Sequence, residues 1–176
     1  VPPKGYLNKL REICDKYGIL LIFDEVITGW GRTGEPFAAQ AFGVTPDIIT
    51  MAKGITNGVM PLGAVASREK IYDTVLDASP TGAVEFFHGY TYSAIPPSIA
   101  AGLAMQNIIE KENLFQRSKD MSPYFLDGLF SLKDIDIITD IRGYGMLGGI
   151  DVRFDERPGK AGYTCFKKLF EAGLSL

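Results

Sequence analysis

The chain has 176 residues, of which 46% are hydrophobic and 22% charged, and a formal net charge of −3. This balance predicts a globular chain with a sizeable core, without the basic footprint of a nucleic-acid binder and without an apolar run long enough to span a bilayer. One histidine, His88, and two distant cysteines, Cys14 and Cys165, exclude a multi-histidine metal site and a disulfide framework, so no metal is expected. The start, Val1-Pro2-Pro3-Lys4-Gly5, carries neither a signal peptide nor an initiator Met; a cytoplasmic protein, begun in mid-chain, is expected.

Residues 4–17 place Leu7, Leu10, Ile13, Cys14 and Tyr17 at helical spacing, with Gly18 as the stop. The apolar run Ile19–Phe23 then reads as a buried strand closed by a buried carboxylate, Asp24. Gly29, Gly31 and Gly34 mark a loop, and residues 36–43 leave a short helix and a loop both open. Pro46 opens a second strand that ends at Lys53. Gly54, Asn57, Gly58 and Pro61 form another loop, residues 62–66 a short strand, and Ser67 the N-cap of a helix to about Leu76.

Residues 78–92 read as a long loop of the kind that often carries function. Pro96 and Pro97 suit the first turn of a helix that runs to about Lys111, packed through Ala100, Ala101 and Ala104 with apolar bulk from Ile99, Leu103, Ile108 and Ile109. Past Asn113 come an aromatic-rich helix containing Pro123, then strands over 135–152 joined by a Gly-rich bend, then a helix over 160–172 with Tyr163, Phe166, Leu169 and Phe170 inward. Alternating helices and strands up to residue 111 predict a parallel sheet covered on both faces, and the remainder the opening of an α+β domain.

Ligands of such sheets bind at the carboxyl ends of the strands, so Asp24 and Lys53 are expected over one crevice. A lysine amine forms a Schiff base with an aldehyde, and an aspartate beside a pyridine nitrogen favours the protonated, electron-withdrawing ring. Val26, two positions beyond Asp24, shares its face if the strand persists. On the residues alone the commoner reading is a solvated loop lysine and an ordinary strand-end acid, with the cofactor pair as its rival. Arg32 reads either as an anion contact or as a solvated loop charge. Trp30 reads either as a border of the substrate pocket or, as the favoured reading, as packing inside its own loop; His88 reads as a structural hydrogen-bonding group rather than a catalytic base; Gly54, Gly58, Gly63, Arg142 and Gly143 read as structural.

The stretches LLIFDEVITGWGRTG, PDIITMAKGITNG and HGYTYSAIP, in this order, resemble the class III pyridoxal-phosphate aminotransferases, with the likeness strongest to the ω-amino acid (β-alanine):pyruvate subgroup. The resemblance implies fold type I, the α/β fold of aspartate aminotransferase. Residues 1–112 would be the C-terminal half of the large cofactor-binding domain, and 113–176 the start of the small domain. Asp24 would pair with the pyridine nitrogen, Val26 pack on the ring, and Lys53 hold the cofactor aldehyde and shuttle the proton. Thr91, with the backbone near Tyr90, would bind its phosphate and reach a neighbouring subunit's site. Implied with these are pyridoxal 5′-phosphate, amine and 2-oxo acid substrates, and a homodimer or dimer of dimers with shared sites, with no nucleic-acid or membrane partner.

Ile27 stands where many members of that family carry glutamine, and Ile95 where relatives usually show histidine; the former suits the ω-amino acid subgroup. Members are more than twice this length, and the substrate-carboxylate arginine is expected outside these residues. The alternatives are an aminomutase or decarboxylase on the same fold, or a piece inactive by itself.

Overall fold

A computed structural model of the chain describes residues 1–83, 88–153, 157 and 159–175. Of the loop expected over 78–92, residues 84–87 lie outside the described ones. The chain divides into two compact units, Pro2–Lys119 and Asp120–Leu176.

The first unit opens with α1 (Tyr6–Tyr17), which ends where Gly18 turns left-handed at φ 66° and returns its N–H to the Cys14 carbonyl. Three strands follow: β1 (Ile22–Asp24), β2 (Ile48–Met51) and β3 (Ala64–Ser67), in the spatial order β1-β2-β3. β1 runs parallel to β2, with Asp24 opposite Thr50. β3 is antiparallel to β2, which corrects the expected all-parallel arrangement. The reason is the connection: residues 52–63 hold only a 3₁₀ turn, Lys53–Ile55, and no crossover helix to return the chain to the starting edge.

β1 is also shorter than the apolar run suggests. Its pairing starts at Ile22 because the Leu21 carbonyl already accepts the N–H groups of Asp47 and Ile48, and the Leu21 N–H donates to the Asp47 carboxylate. Ser67 does not cap a helix. It closes β3 opposite Ile48, and α3 (Glu69–Ala78) begins after Arg68 without a side-chain cap. Two further helices complete the frame: the short α2 (Ala38–Ala41), which resolves the open reading of 36–43, and the longer α4 (Pro96–Lys111), with both prolines in its first turn. α4 buries Ser98, Gly102 and Ile109, whereas Ile99, Leu103 and Ile108 are exposed. A side chain at Gly102 would meet Leu62 at 3.3 Å.

The division between the units falls within α5 (Leu114–Phe130), which contains Pro123 as expected. In the second unit β4 (Ile138–Tyr144) and β5 (Leu147–Val152) form an antiparallel hairpin turned by Gly145 and Met146, with Gly145 at φ 60°. Gly143 and Gly148 lie opposite each other in the strands, not in the bend, and a Cβ at either would strike Leu126 or Leu129 of α5. α6 (Lys160–Glu171) turns Ala161, Cys165 and Leu169 inward, four residues apart. Of the expected inward set only Leu169 holds; Tyr163, Phe166 and Phe170 are exposed.

Candidate active site

Asp24 ends β1 because its own side chain competes for the backbone beyond it. Asp24 Oδ1 accepts the Val26 N–H at 3.1 Å, an Asx turn, and the Thr50 hydroxyl from the neighbouring strand at 3.2 Å. The carboxylate is exposed rather than buried, since β1 is an edge strand that stops at this residue. Val26 therefore reaches its position through a turn, closed by the Gly29 N–H on the Glu25 carbonyl at 2.9 Å, and not by strand alternation. Its side chain is half-buried, and that of Ile27 exposed.

Lys53 stands two residues past the end of β2, three beyond the partner of Asp24. It opens the 3₁₀ turn at φ 46°, a left-handed conformation for a residue with a Cβ. Lys53 and Asp24 thus leave the carboxyl ends of adjacent parallel strands, as the sequence predicts. No ion pair joins them, and the lysine amine has no hydrogen-bond partner among the described residues. One carboxylate oxygen and one amine are left available above the same end of the sheet.

Tyr90 and Thr91 occupy an exposed turn before α4, in which the Ser93 N–H donates to the Tyr90 carbonyl at 3.0 Å. His88 lies edge-on to the Tyr90 ring, with centroids 5.2 Å apart. No hydrogen bond or ring contact joins Tyr90 or Thr91 to Asp24 or Lys53. The structure brings the acid and the lysine to one edge and leaves the phosphate-loop candidates on a separate turn. Arg32 is exposed without a partner among the described residues, and Trp30 packs edge-to-face on Phe37 with centroids 5.5 Å apart.

Sequence reasoning missed Glu25. Its side chain is 1% exposed and accepts three hydrogen bonds: the Thr28 hydroxyl at 3.0 Å and the N–H groups of Ala38 and Ala39 at 2.6 and 2.7 Å. It ties the first turn after β1 to the start of α2, so the whole loop of 25–37 is closed by one carboxylate. The only local signal was Thr28, three residues on; the two alanines lie too far along the chain to read.

A second polar cluster sits at the opposite end of β2. Asp47 accepts Arg11 Nη1 at 2.7 Å and the Leu21 N–H at 2.8 Å, with Arg68 Nε 3.3 Å away. The Leu21 N–H first, and then Arg11, hold the Asp47 carboxyl below its ordinary range. A groove of about 540 Å³ opens beside this cluster, lined by Val44, Ile49 and Ala66 among others; neither Asp24 nor Lys53 lines it.

Among the described residues no group of three or more His, Cys, Asp or Glu is placed to hold a metal ion, and no helix is long and apolar enough to cross a membrane.

Residues 1–176 match the family described as Aminotransferase class-III. The chain is 50% identical to the omega-aminotransferase of Caulobacter vibrioides over 99% of its own length and 40% of that protein. It is 48% identical to the omega-amino acid–pyruvate aminotransferase of Pseudomonas putida, covering all of this chain and 38% of that one. Among solved structures, the omega transaminase from Pseudomonas jessenii in complex with PMP superposes with a TM-score of 0.91 at 29% identity, over 99% of this chain and 40% of that chain. The chain spans about two-fifths of the length of the curated relatives it matches.

Proposed function

The chain belongs to the class-III aminotransferases, and on that premise we propose that the protein carrying it is a pyridoxal-phosphate-dependent transaminase. It moves an amino group from an ω-amino acid or amine to pyruvate or another 2-oxo acid. The observation that carries this reading is the Lys53 amine, unpaired among the described residues, and the exposed Asp24 carboxylate at the carboxyl ends of two adjacent parallel strands. The pyruvate in the name of the Pseudomonas putida aminotransferase supports the acceptor, and the PMP held by the Pseudomonas jessenii relative supports the cofactor.

The donor set fits that cofactor. Asp24 holds one oxygen in the Asx turn and against Thr50 while the other remains available, which suits a carboxylate meant to hold a protonated ring nitrogen. Lys53 offers a primary amine that no carboxylate among the described residues neutralises, able to form a covalent bond to an aldehyde and later to carry a proton. Val26 offers an apolar contact beside Asp24, and the Thr91 hydroxyl with the backbone near Tyr90 offers phosphate donors. Pyridoxal phosphate supplies the aldehyde and an electron-accepting ring.

Residues 1–112 then form the C-terminal half of a large cofactor domain and 113–176 the start of a small one, in a cytoplasmic homodimer or dimer of dimers with shared sites. The test is a visible-absorbance titration of the intact protein with pyridoxal phosphate beside Lys53→Ala, followed by β-alanine and pyruvate. A band that requires Lys53, and alanine formed from pyruvate, is the expected result. Wild-type protein with no such band sinks the proposal.

A further inference from the structure

Lys53 is not the only left-handed residue at this end of the sheet. Trp30 stands at φ 62° and Lys53 at φ 46°, both with a Cβ. Such conformations persist only where the surroundings over-determine them. The two are linked through Gly54. A Cβ built on Gly54 would lie 2.5 Å from Trp30 Cβ and 2.8 Å from Cγ, so the indole stem rests directly on the backbone that follows the lysine. Gly54 itself does not adopt a positive φ; glycine serves there for space.

Trp30 is in turn fixed by its loop. Its N–H donates to the Pro36 carbonyl at 2.7 Å, and its ring packs on Phe37. Glu25 closes the loop at its stem, as above. The far side is held by Lys119, 2.7 Å from Glu35, and by the Ser118 hydroxyl on the Gly31 carbonyl. The loop is pinned on both sides, with Trp30 between.

We propose that Trp30, held by the Glu25-closed loop and seated on Gly54, is a positioning residue that locks the Lys53 backbone and so aims its amine. The link to catalysis rests on the Schiff-base role of Lys53 given above; the lock itself does not. The nearest atoms in this contact are Cβ, Cγ and Cδ1, and phenylalanine supplies all three, so Trp30→Phe keeps the lock. Trp30→Gly accepts φ 62° without strain and removes it. Gly54→Ala breaks the same contact from the other side.

Two readouts in the intact protein decide the matter. The first is amide hydrogen exchange, without cofactor, at Ile55 and Thr56, whose N–H groups close the turn onto Ala52 and Lys53. Trp30→Gly and Gly54→Ala are expected to speed it by about tenfold or more, and Trp30→Phe to leave it unchanged. The second is the rate at which pyridoxal phosphate gives a Lys53-dependent band, expected to fall about tenfold in the first two variants and to hold in Trp30→Phe. Circular dichroism checks the fold, and Gly54→Ala decides if Trp30→Gly does not fold. Unchanged exchange in a folded Gly54→Ala or Trp30→Gly protein overturns the lock. A wild type with no band overturns the proposed function instead, while the exchange still decides the lock.

Discussion

The Arg11 guanidinium donates to the Asp47 carboxylate at 2.7 Å, and the same oxygen takes the Leu21 N–H at 2.8 Å. One acid thus joins α1, the entry to β1 and the start of β2. Both side chains are mostly buried, at 16% and 12% exposure, so removing one partner costs more than breaking a surface ion pair.

Asp47→Asn is expected to lower stability by about 2 kcal/mol at pH 7, read from urea midpoints. The carboxyl titrates below its ordinary value of 3.8 in the folded chain. Its stabilising contribution is therefore complete above that value and is lost as pH falls through the depressed one. Wild type should lose stability more steeply than Asp47→Asn on acidification below about pH 4. Parallel slopes for the two proteins would refute this assignment.

Glu25→Ala leaves the N–H groups of Ala38 and Ala39 without their acceptor in a buried place. The expected cost is about 3 kcal/mol, and about 1 kcal/mol for Thr28→Val, which removes a single neutral donor. Equal losses for the two would mean that the helix-start bonds carry nothing.

Gly143 faces α5 so closely that a Cβ would come within 2.5 Å of Leu126 Cδ2 and 3.1 Å of the Leu147 carbonyl. Gly143→Ala should destabilise by about 1–2 kcal/mol. Combined with Leu126→Ala, it should cost less than the sum of the two single changes, because the shortened side chain vacates the space. Strict additivity in thermal melts would contradict the contact.

Asp24→Asn retains an oxygen for the Val26 and Thr50 bonds and removes the charge. In the proposed transaminase, amine transfer in single turnovers should fall by about 100-fold, because a neutral amide no longer favours the protonated ring; an unchanged rate would remove Asp24 from that role. The Lys53-dependent absorbance should survive, since the lysine itself is unchanged.

What the sequence revealed and concealed follows from the range of the forces involved. α1 with Gly18, the prolines opening α4, and the placing of Asp24 and Lys53 at strand ends all rest on local pattern and were legible. The antiparallel turn of β3 was hidden because it depends on what residues 52–63 fail to form. The apolar side chains of α6 suggested one face, yet the packed face is set by small Ala161 and Cys165, which a count of large apolar groups overlooks. Glu25 escaped notice because its partners lie at 28, 38 and 39. Its neighbour Asp24, with the more suggestive chemistry, is less buried.

The strand order places the two chemical groups on unequal foundations. Lys53 follows β2, which is bonded on both sides, whereas Asp24 ends β1, bonded on one. Local opening should therefore reach the acid well before the lysine. Any strand that joined the outer edge of β1 would act on the site without touching it, by slowing the fraying of the aspartate's support.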